Sequence, residues 1–170
     1  MAKKNKKIKE KKTNDERILD QHNITYREAN FEWLTKHQSA LEEAKAQGVD
    51  PKSILKTIVL QANKDPKDYV VVCLPIEYEI DLKLTAQQLQ KKQLHLADNK
   101  NLINITGYIH GANTPIGISV RKNFPVYFDE RIKPFEEISV SAGKVGRSVR
   151  LKQSDLVNLV KGKYIQVSKG

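Results

Sequence analysis

Residues 107–117 read G-Y-I-H-G-A-N-T-P-I-G, and no other segment constrains the fold of this chain as much. Three glycines, a proline, an asparagine and a threonine crowd between two apolar runs. Glycine opens positive φ and lets a ligand come close to the main chain. Pro115 fixes its own φ, lacks an N–H and restricts Thr114 before it. This density predicts a constrained loop, not a regular helix or strand. Such a loop either connects strands tightly or gathers backbone N–H groups around an anionic or carbonyl oxygen.

A chain of 170 residues can bury one sizeable core. Charged residues make up 29% and hydrophobic ones 39%, which argues against a wholly disordered chain or a membrane protein. No apolar run approaches the ~20 residues that span a bilayer, and the Lys-rich start lacks the apolar core of a secretory signal. Cys73 is the single cysteine, so no intramolecular disulfide is expected. No Cys/His cluster has zinc-site spacing. These features predict a cytoplasmic protein with no metal and no cofactor. The net charge of +10 is uneven. Residues 1–12 hold seven Lys and one Glu; residues 13–100 hold 12 basic and 14 acidic side chains; residues 101–170 hold 11 basic and 5 acidic. The reading is a basic, flexible tail over 1–12 ahead of one domain over 13–170. A basic field around a phosphate-approaching loop suits an RNA substrate.

The pattern along the chain predicts an α+β domain with a mixed sheet. Thr13 or Asn14 can cap a short helix through Leu19, and residues 24–31 read as extended. Residues 37–47 carry helical spacing and end at Gly48, and Asp50-Pro51 looks like a helix start. Residues 56–62 read as a strand, 63–68 as a turn and 69–74 as a central strand. Thr85 is expected to cap a helix through Lys92, Asp98 a second and Ser154 a last one through Val160. Short strands are expected at 126–129, 137–141, 148–151 and 164–167.

Three more segments bear on the glycine-rich loop. Leu55-Lys56-Thr57 precedes the apolar run Ile58-Val59-Leu60; Phe128-Asp129-Glu130 follows the loop; and residues 140–147 read V-S-A-G-K-V-G-R. In this order the four segments resemble the YbaK/EbsC-type aminoacyl-tRNA deacylases, single-domain relatives of the editing domain inserted in bacterial prolyl-tRNA synthetases. The resemblance covers roughly residues 24–160. It implies a single α+β domain built on a curved, barrel-like mixed β-sheet flanked by helices.

Lys56 is the foremost candidate. At the head of an apolar strand a charge is costly unless paired, so Lys56 either snorkels at the strand edge or is kept for an anionic ligand. The resemblance places it on the family's functional lysine, which implies that it binds and orients the aminoacyl end of tRNA and can stabilise charge on the carbonyl oxygen. The resemblance likewise marks Gly111 as catalytic. It implies substrate contacts from Gly107, Tyr108, Ala112, Asn113, Thr114 and Pro115, with main-chain donors at Gly111, Ala112 and Asn113, and from Ser141 and Gly143. Asp129 is a candidate orienting residue; its other reading is a strand-end Asp bonded to its own turn. Four positions depart from the family pattern. Ala112 stands where a second glycine is common and Thr114 where a serine is, so both are expected to narrow the pocket. Phe31 stands where some relatives carry an aromatic hydroxyl, and Ser148 where some carry an acid, so no general acid or base is assigned there.

Other conspicuous residues read as structure. Cys73 sits in an apolar strand, where cysteine is usually inert packing. His110 lies beside the loop and could touch substrate, but relatives do not depend on it. Residues 141–144 lack phosphate-loop spacing, and Trp33 with the scattered tyrosines makes no RNA-stacking signature.

The resemblance implies a trans-editing deacylase acting on mischarged aminoacyl-tRNA, above all Cys-tRNA(Pro). The linking ester is already activated, so positioning matters more than a strong protein nucleophile. In the cysteine-specific branch the substrate thiol attacks its own carbonyl. In the alanine-specific branch, which would make the chain an Ala-tRNA(Pro) hydrolase, water or a ribose hydroxyl takes part. Prolyl-tRNA synthetase is the partner the resemblance suggests, although the residues themselves show none. From another class, a non-catalytic RNA-binding module remains open.

Overall fold

The structure, a computed structural model, describes residues 11–29 and 40–168. Six α-helices and eight strands are found there: α1 (Asn14–Gln21), β1 (Tyr26–Glu28), α2 (Ala40–Ala46), β2 (Leu55–Ala62), β3 (Tyr69–Pro75), α3 (Leu82–Leu89), β4 (Leu94–Leu96), α4 (Leu102–Thr106), α5 (Pro115–Lys122), β5 (Val126–Asp129), β6 (Glu137–Lys144), β7 (Arg147–Lys152), α6 (Gln153–Val160) and β8 (Lys163–Ile165).

Local signals explain most of these elements. Thr13 caps α1, and Glu16 bonds back to the Thr13 N–H, a reciprocal pair that satisfies two otherwise orphan donors. Gly48 takes φ +70° just past α2. Asp50 caps a single 3-10 turn, with Pro51 at its first position. The continuous apolar run of β3 is buried on both faces, as a central strand must be.

Three expectations are corrected. Residues 107–117 do not stay irregular: Thr114 accepts from the Ile116 N–H and opens α5, with Pro115 at the first helical position. Asp81, not Thr85, caps α3 by accepting from Leu84 N–H; Thr85 lies inside the helix and donates to the Asp81 carbonyl. Ser154 falls within α6, whose capping position is Lys152.

The strands form two sheets, one of order β1-β7-β6 and one of order β4-β2-β3-β5-β8. The second is mixed: β2 pairs antiparallel with β3 and β4, whereas β3–β5 and β5–β8 are parallel. A single parallel bridge, Ile54 to Ser139, joins the sheets. The sheet is not closed into a barrel: among the described residues the bridge at Ile54, just ahead of β2, is not extended into a ladder with β6. The larger core packs Leu19, Val71, Phe128, Ile138, Val149 and Leu156 between the sheets and the helices. A smaller one packs Leu60, Val72, Leu74 and Ala86 beneath α3.

Candidate active site

A pocket of about 430 Å³ opens where the two sheets meet. One wall is β2 from Leu55 to Val59, and the other is the β6–β7 hairpin, with Ser139, Ser141, Lys144 and Arg147. Residues 96–102 and the loop residues His110, Gly111 and Asn113 complete the lining. The position follows from the topology. β4 covers β2 only at Leu60–Ala62, so among the described strands the upstream edge of β2 has no ladder partner.

Lys56 lines the pocket from that open edge and is half-buried. Burial lowers its pKa below the usual 10.5, and the Glu79 carboxylate pushes the other way. Among the described residues its ammonium makes no ion pair and no hydrogen bond.

Gly111 and Asn113 come to the pocket from the loop, and Ser141 from β6. Gly111 has φ +89°, a conformation that strains any side chain, and an added Cβ would lie 3.7 Å from Val145 at the hairpin tip. Ser141 ties the hairpin to the loop: its hydroxyl donates to the Ala112 carbonyl (3.1 Å) and accepts from the Gly143 N–H of its own strand (3.1 Å).

The other candidates stand behind the lining. Tyr108 is buried; its hydroxyl donates to Asp15 Oδ1 (2.7 Å) and accepts from Arg121 Nη2 (2.6 Å). Gly143 backs onto the same place, since a Cβ on it would fall 2.1 Å from Asp15 Oδ2. Gly117 is as tightly held, with Tyr108 Oη 1.8 Å from its would-be Cβ. Burial raises the pKa of Asp15 above 3.8, against the opposing pull of the Tyr108 hydroxyl and Arg121. Burial, with help from the Asp15 charge, also drives the Tyr108 phenol up. Gly107 ends α4 at φ +86°, Thr114 caps α5 and Pro115 begins it. Ala112 and Thr114 are buried outside the lining, so the expected narrowing of the pocket has no basis in their side chains. Asp129 accepts from the Arg131 N–H in its own turn, and its Oδ2 is buried without a partner. Cys73 packs in the core with its thiol pushed up to about 12 by burial. Phe31 and Trp33 lie outside the described residues.

Sequence reasoning did not find Arg147. It lines the pocket yet is 6% exposed. Its Nε and Nη2 both bond Glu16 of α1 at 2.9 Å, and Nη2 also reaches Glu28 of β1 at 2.9 Å. Its two carboxylates lie over a hundred residues upstream, so no local pattern announces them. Among the described residues no group of His, Cys, Asp and Glu could hold a metal ion, and no helix is long and apolar enough to cross a membrane.

The model of the aminoacyl-tRNA editing domain matches residues 35–159. The chain belongs to the aminoacyl-tRNA editing domain family. A relative from Enterococcus faecalis, provisionally named a Cys-tRNA(Pro)/Cys-tRNA(Cys) deacylase, EbsC, is 35% identical over 163 residues, which cover 96% of this chain and 97% of that one. Two solved structures share the fold. One, of a protein provisionally described as a trans-editing enzyme for prolyl tRNA synthetase, has a TM-score of 0.75 at 19% identity over 91% of this chain and 94% of its own. The other, of a hypothetical protein, also has a TM-score of 0.75 at 19% identity, over 91% and 98%.

Proposed function

We propose that this editing domain is a trans-acting deacylase that clears cysteine mischarged on proline tRNA. One observation carries the reading: Lys56 lines the pocket where burial disfavours its charge, and it is in no ion pair among the described residues. A ligand bearing a phosphate or a polarised carbonyl would restore what burial takes away. The name and the extent of the Enterococcus faecalis relative support cysteine as the amino acid.

In this reading Lys56 and the Gly111 main-chain N–H hold the aminoacyl ester; the Ala112 N–H, also expected as a donor, is taken by the Ile109 carbonyl at 3.0 Å. The substrate thiol loses its proton and its sulfur attacks the ester carbonyl carbon. The bond from that carbon to the ribose oxygen then breaks, and the oxygen takes up a proton. Free tRNA and a cysteine thiolactone result, and no protein nucleophile is required. That suits a site whose nearest thiol, Cys73, is buried in the core. Ser148, Ser141 and the loop supply polarity and not a catalytic triad. A pocket of about 430 Å³ accommodates the aminoacyl end of a tRNA but not its distinguishing features, so selection among tRNAs falls to a partner, prolyl-tRNA synthetase in this reading.

The test compares cysteinyl-, seryl-, alanyl- and prolyl-tRNA(Pro) under single turnover. Cysteinyl-tRNA is expected to be cleaved fastest. Seryl- or alanyl-tRNA cleaved equally fast would replace the thiol mechanism with a water- or ribose-assisted hydrolysis, and binding without any cleavage would leave an RNA-binding module.

A further inference from the structure

The loop brings a side-chain amide to the pocket, and a hydroxyl outside the lining sets its direction. Asn113 lines the pocket and is 7% exposed. Its Oδ1 accepts from the Thr106 hydroxyl at 2.8 Å. Thr106 is 2% exposed and stands at the C-terminal end of α4. Three other contacts pin that hydroxyl: it accepts from the Tyr108 N–H (3.1 Å) and lies 3.1 Å from the Leu102 carbonyl and 3.3 Å from that of Tyr108. A hydroxyl has one proton and several acceptors compete for it here, and the shortest contact is the one to Asn113. With Oδ1 held, the amide has only its Nδ2 hydrogens left to offer. Nδ2 makes no hydrogen bond within the described residues, and it is not among the buried polar atoms that lack a partner.

Resting on the deacylase reading above, we propose that Asn113 Nδ2 donates a hydrogen bond to the carbonyl oxygen of the bound aminoacyl ester, with Thr106 as the positioning residue that fixes this donor. A donor suits that oxygen, the acceptor on which negative charge develops as the carbonyl is attacked. It does not suit the α-ammonium, which presents only hydrogens. The Gly111 main-chain N–H and the Asn113 amide would then approach the carbonyl from nearby positions of one loop. The side chain thus adds a donor whose orientation does not depend on the loop backbone alone.

The experiment pairs the single-turnover rate on cysteinyl-tRNA(Pro) with the affinity for a non-hydrolysable amide analogue of 3′-aminoacyl-adenosine. Asn113→Ala is expected to slow cleavage on the order of 10²-fold, the usual loss of one such donor, while weakening the neutral analogue only a few-fold. Asn113→Asp keeps the shape but replaces the donor with a negative acceptor, and is expected to slow cleavage at least as much. Thr106→Val is expected to cost about 10-fold in rate, with Thr106→Ser restoring it. Asn113→Asp that cleaves at the wild-type rate or faster would overturn the proposal, because the outward atom would then be an acceptor. Asn113→Ala with an unchanged rate would also overturn it and leave the deacylase reading standing. If the wild-type protein neither cleaves the substrate nor binds the analogue, both the reading and the proposal fall.

Discussion

Of the cationic side chains that border the pocket, Arg147 and Lys56 stand in opposite circumstances. Arg147 is 6% exposed and is answered by Glu16 and Glu28. Lys56 is half-buried and in no ion pair among the described residues. A guanidinium so enclosed is tolerated because its hydrogen bonds are made inside the protein, and removing a partner leaves an uncompensated charge. A lysine with no carboxylate in contact contributes little to the folded state and can be answered by a ligand. The difference teaches that at this pocket a completed ionic network builds a wall, while the group left uncompleted is the one the proposed reading gives to substrate.

Removing the Lys56 ammonium should give the largest effect on chemistry. Lys56→Ala is expected to reduce single-turnover deacylation by about 10²–10³-fold, with a melting temperature close to that of the parent protein. Near-normal cleavage by the variant would erase the contrast. Glu16→Gln attacks the other side. It should cost about 3 kcal/mol of unfolding free energy, toward the low end for a broken buried pair because Glu28 still faces Arg147. Urea denaturation reads that loss, and the rate per folded molecule should hold. Inactivation without destabilisation would make Arg147 and its partners part of the chemistry.

Tyr108→Phe comes next, with a loss of roughly 1–3 kcal/mol from leaving Asp15 without its hydroxyl donor. The same region has a pH signature. Asp15 holds its proton more tightly when folded than its ordinary 3.8. The cost of its charge is therefore fully present above the folded value and gone below 3.8. Wild-type stability should rise relative to Asp15→Asn as the pH falls through that window, and parallel pH profiles would contradict it. Cys73→Ser should lose some stability by placing a hydroxyl in an apolar core, and should keep its turnover. The smallest effect is expected from deleting residues 2–10. Binding to tRNA should weaken chiefly at low salt while the saturated single-turnover rate stays the same.

What the sequence showed depended on how local the cause was. The cap at Thr13, one of the two candidates the sequence offered, and the apolar run of β3 are written in adjacent residues and are found in the structure. Thr114-Pro115 is just as local, but the crowd of glycines around it masked a helix start. Asp129 took the nearer of its two readings, that of capping its own turn. The candidate lysine stood out only through a family pattern, because a lysine at a strand head is ordinary by itself. The arginine on the opposite wall was invisible, since its partners come from the first helix and first strand. Ala112 and Thr114 were expected beside the substrate through the family resemblance, and both are buried and absent from the pocket lining.

The pairing of β1 with β7 has a consequence for the timing of synthesis. Glu16 and Arg147 are separated by 131 positions, which a ribosome takes about 7–26 s to add at ~5–20 residues per second. Throughout that interval α1 has no hairpin to pack on, and the wall opposite Lys56 does not exist. The proposed site therefore cannot form before the β6–β7 hairpin has been made. It appears only when β7 closes that distance.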